Sequence, residues 1–438
     1  MTDRPAPRKF GFETRMVHAG HVPDAVTGAR AVPIYQTTSY VFDSADQAAQ
    51  LFELKQYGNI YTRISNPTTA VFEERMASLE GATGALAVSS GMAAQFVAFM
   101  TLLSPGDEVV ASSHLYGGSV TQLKITLQKL SIKVTLVDPH DFGAWERAIT
   151  KKTRALYGET IGNPRGSILD QEKLAALAGA HKIPLIVDNT FATAYLCRPI
   201  EHGATIVLYS ATKFIGGHGN AIAGVILDSG NFDFSQFPTI AAPSPSYHNL
   251  RFFDTFGHYG FLMKARAETV RDVGACVSPM NSFLLIQGLE TLSLRMERHV
   301  ANARKIAEYL EQNGRVAWVA YAGLPSHPDH ALAQKYLPKG PGAVFSFGLK
   351  DEGGQVREDG KRFIEALQLF SHLANVGDVR SLVIHPASTT HQQLTDEELV
   401  ACGVGPEMIR LSVGLENVED LIWDLDQAFH ALSRSTRA

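Results

Sequence analysis

The chain has 438 residues, 45% hydrophobic and 19% charged, with 39 basic and 44 acidic side chains and a formal net charge of −5. That length predicts two or three domains, each able to bury a core, and the absence of a basic excess or stripe excludes a nucleic-acid-binding footprint. The apolar runs are far below the ~20 residues of a membrane span, and the polar start MTDRPAPRKF has no signal-like apolar stretch. The three cysteines, Cys197, Cys276 and Cys402, are odd in number and lack metal-ligand spacing, so reduced thiols in a soluble, cytoplasmic protein are expected.

Residues 1–70 carry little regular periodicity, and Tyr57–Thr69 (YGNIYTRISNPTT) is polar and rich in turn formers. A long arm without its own core packs on something else, often a partner subunit. From Val71 the pattern becomes regular. A helix is predicted in VFEERMASLEG, a strand in GALAVSS, a turn at Gly91-Met92 and a helix in AAQFVAFMTLL. The strands DEVVASS, KVTLVD and TRALYGET follow, separated by the helices GGSVTQLKITLQKL and DFGAWERAIT. The helix QEKLAALAGAHK then precedes three further strands, IPLIVDNT, ATIVLYS and AIAGVILD. This alternation predicts an α/β fold with a mostly parallel central sheet and helices on both faces. The near-continuous apolar runs PLIVD and TIVLY fit burial on both sides.

Beyond Asp228 the alternation stops. Phe232–Gly260 reads as a loop with short helices, and Phe261–Leu310 as one long helical pattern linking two domains. The remainder mixes strands (GAVFSFGL, MIRLSVGL) with helices (VREDGKRFIEALQLF, VEDLIWDLDQAFHAL) and predicts a smaller α+β domain. The expected division is an arm, 1–70, a large domain, 71–275, and a C-terminal domain, 276–438.

Ligands of open α/β sheets sit at the carboxyl ends of the strands, and SSGM, HLYGG, ETIGNP, DNT and SATK each follow a strand. Lys213 in SATK is placed for partial desolvation, which lowers its pKa and favours condensation with a carbonyl; a lysine snorkelling at a strand end is the alternative. Ser210 and Thr212 can donate to phosphate oxygens. Asp188 ends an uncharged run, where a carboxylate could keep a ring nitrogen protonated or form an Asx turn. Gly91 and Met92 offer N–H groups at a helix start, a phosphate site or an ordinary strand-to-helix turn. Tyr116 could stack on a ring or pack at a rim, and Asn163 could bond a ring oxygen or serve as a turn residue before Pro164. Arg410, inside the apolar run MIRLSV, needs an anion: a bidentate carboxylate or a structural ion pair. No dinucleotide glycine fingerprint, P-loop or H-E-x-x-H motif is present. The histidines, including His18, His385 and His391, give no ligand set, so no metal is expected.

Taken in order, YTR, SSGM, LYGG, ET-x-x-NP, DNT and SATKFIGGHG resemble the Cys/Met-metabolism family of enzymes that use pyridoxal 5′-phosphate (PLP). The family includes cystathionine γ-synthase, methionine γ-lyase and the O-acetylhomoserine sulfhydrylases. The resemblance runs from ETRMVHAG near the start to RLSVGLEN near the end. It implies fold type I, a PLP-binding large domain, and a homo-oligomer, a tetramer built from dimers that share active sites through the arm. It implies that Lys213 carries PLP and moves protons, that Asp188 partners the pyridinium, that Tyr116 stacks on the ring and assists the leaving group, and that Asn163 lies near the ring hydroxyl. Gly91, Met92, Ser210 and Thr212 match phosphate ligands. Tyr61 and Arg63 match a pair reaching the neighbouring subunit's phosphate, Tyr61 also bordering the substrate. Arg410 matches the arginine that holds the substrate α-carboxylate.

Asn375-Val376-Gly377 stands where many transsulfuration relatives carry Ser-Leu-Gly, which sets Asn375 at the substrate. That form, the following HQQLT, and the segment PSPSYHNLRFFDTFGHYGFLMKAR look like the O-acetylhomoserine sulfhydrylase branch. The resemblance thus implies γ-replacement on O-acetyl-L-homoserine with sulfide, giving L-homocysteine and acetate for methionine biosynthesis. Methionine γ-lyase, cystathionine γ-synthase and O-succinylhomoserine sulfhydrylase are the alternatives within the family. A nicotinamide oxidoreductase would need the absent glycine fingerprint, and a non-catalytic assembly protein would not need the full set Lys213, Asp188 and Arg410.

Overall fold

All seven apolar runs predicted between Gly84 and Asp228 form strands of one sheet. The structure, a computed structural model, describes residues 8–389 and 403–435. The strands are β1 (Gly84–Val88), β2 (Glu108–Ser112), β3 (Lys133–Val137), β4 (Thr153–Glu159), β5 (Leu185–Asp188), β6 (Ile206–Ser210) and β7 (Gly224–Asp228). Their order is β1-β7-β6-β5-β4-β2-β3. Only β7 runs against its neighbours; the pairs from β6 to β3 are parallel.

Successive side chains of a strand point to opposite faces, and the two faces are both covered. Ile206 and Leu208 pack with Phe99, Leu123 and Phe261 on one side. Val207 and Tyr209 pack with Phe72, Trp145 and Met296 on the other. This double burial explains why the strands read as continuous apolar runs rather than alternating ones.

A second sheet contains β8 (Val316–Ala320), β9 (Val344–Leu349), β10 (Ser371–His372), β11 (Leu382–Ile384) and β12 (Met408–Ser412). Its order is β10-β11-β12-β9-β8, antiparallel except for the β10–β11 pair. The helices Val356–Ala366 and Val418–Ser435 cover it, with Phe363 against Phe347 and Phe429.

The long helix expected over Phe261–Leu310 is broken. A first stretch, Gly260–Val273 with a π-helical middle, stops at Gly274, whose φ of 79° is left-handed. Ser278 then caps a new helix, Pro279–Leu289, by accepting the N–H of Asn281 at 3.1 Å. Pro279 stands in the first turn, where its missing N–H costs nothing. A third helix, Leu292–Gln312, follows. The arm holds two short helices, Phe12–His18 and Ala45–Phe52, that its weak periodicity did not predict. No helix among the described residues is long and apolar enough to cross a membrane.

Candidate active site

Lys213 lies in the turn just past β6. Its N–H donates to the carbonyl of Ser210 at 3.2 Å, and its own carbonyl accepts the N–H of Gly217 at 2.8 Å. Arg295 stiffens the next residues by donating to the carbonyls of Phe214 at 2.7 Å and Ile215 at 3.2 Å. The Lys213 amine does not snorkel to solvent; Nζ donates to Asn375 Oδ1 at 2.5 Å. Burial, and then the positive charge of Arg410, push its pKa down to about 8.

Arg410 is the third residue of β12, paired across the sheet with Ser346 of β9 and Ile384 of β11. Burial lowers its pKa to about 10, and the Tyr116 phenol pulls the other way. Among the described residues no carboxylate pairs with it. A structural ion pair therefore has no partner there, and a bidentate cation is left facing the space shared with Lys213 and Tyr116.

Asp188 and Glu159 end adjacent parallel strands in register. Asp188 Oδ1 accepts the N–H of Thr190 at 2.9 Å, so the Asx turn is present. Thr190 Oγ1 in turn accepts the N–H of Ser210 at 2.8 Å, tying β5 to the lysine strand. Burial raises the proton affinity of both carboxylates, and for Glu159 the charge of Asp188 adds to it. Glu159 Oε1 accepts the N–H of Tyr116 at 2.7 Å. The sequence reading passed over Glu159, although an acid closing the apolar run TRALYGE is the same signal that marked Asp188 one strand away.

Tyr116 precedes a short helix, and about half its surface is exposed (52%). At the start of the helix Gly91–Leu102, Ser90 Oγ accepts the N–H of Ala93 at 3.0 Å. The N–H groups of Gly91 and Met92 have no acceptor among the described residues, as the first turn of a helix leaves them. A Cβ on Gly91 would lie 2.6 Å from Ser210 Cβ. Backbone alone fits at that point, which brings the helix start against the end of β6. Thr212 Oγ1 is bonded to the backbone of Ala223, donating to its carbonyl at 3.2 Å and accepting its N–H at 3.1 Å. Asn163 is buried one residue before Pro164, whose carbonyl accepts Ser346 Oγ at 2.9 Å.

Tyr61 and Arg63 stand apart. The Arg63 guanidinium lies 5.2 Å from the Tyr61 ring centroid, Tyr61 bridges to Ser39, and the neighbouring Ile64 carbonyl accepts Arg266. None of their contacts is with Lys213, Asp188, Tyr116 or Arg410. His385 is held by Ser388 and the Pro406 carbonyl, and His18 faces Arg30. No group of His, Cys, Asp and Glu among the described residues could hold a metal ion. His391, the HQQLT segment and Cys402 lie outside the described residues.

Comparison with known proteins gives one answer. The profile of the family described as Cys/Met metabolism PLP-dependent enzyme matches residues 13–430. An O-acetyl-L-homoserine sulfhydrylase from Thermus thermophilus is 52% identical, over 95% of this chain and 99% of that protein. Another from Leptospira meyeri is 48% identical, over 96% and 97%. A solved O-acetylhomoserine (thiol)-lyase from Campylobacter jejuni, containing N′-pyridoxyl-lysine-5′-monophosphate, superposes with a TM-score of 0.92 at 40% identity, covering 96% of this chain and all of that one. The residues present fit PLP: a helix start at Gly91 with no side chain for a phosphate, a half-buried carboxylate for a ring nitrogen, and a desolvated amine. The chain belongs to the Cys/Met-metabolism family of PLP-dependent enzymes.

Proposed function

We propose that the enzyme exchanges the acetate of O-acetyl-L-homoserine for sulfide, giving L-homocysteine and acetate. The observation that carries the amino-acid part is the half-buried guanidinium of Arg410, without a carboxylate partner among the described residues and beside the amine of Lys213. The acetyl ester is supported by the relatives that carry its name.

When bound, PLP supplies an electron sink for charge that develops on the substrate carbons. The chain's own groups do the rest. Arg410 grips the α-carboxylate with two parallel N–H donors and fixes Cα toward Lys213. Lys213 Nζ, poised near 8, takes the proton from Cα and moves protons at Cβ. Asn375 Oδ1 orients that amine, which is its part in seating the substrate. The carboxylate of Asp188 keeps the ring nitrogen protonated. Tyr116, close enough to Arg410 for its phenol to raise the guanidinium's pKa, stands where acetate leaves Cγ and hydrosulfide enters. Gly91, Met92, Ser210 and Thr212 would hold the phosphate, and Asn163 would bond the ring hydroxyl.

We also infer a homo-oligomer in which residues 1–70 of one copy, through Tyr61 and Arg63, complete the neighbour's site. Residues 71–275 then form the cofactor domain and 276–438 the C-terminal domain. Support comes from the arm's apolar side chains, since Val26, Val41 and Tyr57 are each more than four-fifths exposed. The free thiols Cys197 and Cys276 fit a cytoplasmic place.

The test is a substrate panel with product identification. The kcat/KM for O-acetylhomoserine with sulfide should exceed that for O-succinylhomoserine at least ~10-fold, the ~1.4 kcal/mol that one unmatched, partly solvated charge costs. Cysteine as nucleophile should give little cystathionine. Equal or better rates with the succinyl ester would overturn the substrate assignment and leave the PLP chemistry standing.

A further inference from the structure

At the carboxyl end of the large sheet the mechanism leaves a buried acid, Glu159, unused. Glu159 closes β4 in register with Asp188, so two carboxylates lie side by side at the end of the sheet. Among the described residues no cation faces either one: the positive groups of the site, Lys213 and Arg410, act on each other, and Tyr157 and Tyr116 are the remaining titratable groups alongside. Glu159 is buried and Asp188 half-buried, and two adjoining carboxylates with so little water around them do not both ionise. The donors decide which one keeps the proton. Asp188 receives the Thr190 N–H and is also favoured as an anion by the Thr190 hydroxyl, whose oxygen accepts the Ser210 N–H and whose hydrogen is left for the carboxylate. Glu159 receives one donor, the Tyr116 N–H, on Oε1, and Oε2 has no partner among the described residues.

Resting on the function given above, we propose that Glu159 is a positioning residue that stays an uncharged acid, fixing the backbone of Tyr116 through Oε1 while leaving Asp188 as the single negative charge for the cofactor ring. Glu159 touches neither substrate nor ring. It acts through Tyr116, whose ring it places, and through Asp188, whose charge it leaves undivided. The arrangement separates two needs that one carboxylate cannot meet, an acceptor for a backbone N–H and an anion for a cationic ring.

The test compares holoenzymes of the wild type, Glu159→Gln and Glu159→Ala by infrared spectroscopy, PLP affinity and kcat. Infrared difference spectra of wild type against Glu159→Gln at neutral pH should show the carbonyl stretch of a protonated carboxylic acid, lost in the variant. Glu159→Gln keeps an uncharged group with an acceptor oxygen, so its PLP affinity and kcat should stay within about 3-fold of wild type. Glu159→Ala leaves the part-buried Tyr116 N–H without its acceptor and frees the Tyr116 backbone, and kcat should fall at least ~10-fold, the ~1.4 kcal/mol of one lost hydrogen bond. A wild type without the acid band, or a Gln variant as impaired as the Ala variant, overturns the proposal. So does an Ala variant that matches wild type throughout. If Glu159→Ala does not fold, the infrared band and the Gln variant still decide. If the wild type gives no homocysteine, the substrate assignment fails, while the infrared and PLP-affinity results judge Glu159 separately.

Discussion

Replacing Arg410 by Met separates a catalytic cation from a structural one. The guanidinium is half-buried and largely desolvated in β12, and no carboxylate among the described residues repays its desolvation. Replacing desolvated ionic groups by apolar side chains of similar volume is often neutral, or stabilising by about 1–4 kcal/mol. The apoenzyme Tm of Arg410→Met should therefore be unchanged or raised. Activity should move the opposite way. A bidentate grip makes two charge-assisted hydrogen bonds of roughly 1.5–3 kcal/mol each. Losing about 4 kcal/mol corresponds to roughly three decades, so kcat/KM for O-acetylhomoserine should fall about 1,000-fold. Steady-state kinetics at saturating sulfide and a thermal melt on the same preparation read both quantities. A Tm that drops by several degrees with kcat/KM within 10-fold of wild type would show that Arg410 is a structural residue and that the substrate carboxylate is held elsewhere.

Three further outcomes are expected. The neutral amine of Lys213 is the form that captures PLP, so the association rate with apoenzyme should rise with pH and level off above about 8. Between that value and the lysine's ordinary pKa the unfolded chain binds more protons than the folded one, so this residue adds stability as pH rises. Removing the Arg410 charge should move the association limb to higher pH, and a limb that stays in place would refute the coupling. Asp188→Asn keeps the shape but not the charge: kcat should fall by orders of magnitude with PLP still bound, and a near-normal kcat would remove the electron-sink role from Asp188. Mixed oligomers of Arg63→Ala and Lys213→Ala chains should regain activity, because one site then joins an intact lysine to an intact arginine from the other chain. Confirmed mixed oligomers without regained activity would count against a shared site.

The sheet was legible because its signals are local. An apolar run of four to seven residues that stops at Asp188 or Ser210 announces both a buried strand and the side chain it presents. The lysine turn followed from the same logic. The helical breaks were not legible in that way, since the apolar period of 261–310 continues across Gly274 and Pro279 while the backbone does not. The short strands β10 and β11 carry too few residues for alternation to register. Glu159 was hidden because its meaning lies in a neighbour on another strand. The hydrogen bond from Lys213 to Asn375 joins the turn after β6 to the segment between β10 and β11, so residue type alone could suggest that Asn375 was unusual but not what it would touch.

The reversed strand β7 has a consequence for how the chain comes together during synthesis. β1 is the first strand to leave the ribosome, yet it docks only against β7, the last strand of its sheet. Until Asp228 has emerged, β1 has no edge to join, and the helix start at Gly91 has no fixed place beside Ser210. Strands β2 to β6 can pair as they appear, but the phosphate end and the lysine end of the site stay apart. A nascent chain cut short before β7 would hold most of the sheet and still bind no cofactor. The vitamin can thus be captured only by a large domain whose hydrogen-bonded framework is already closed.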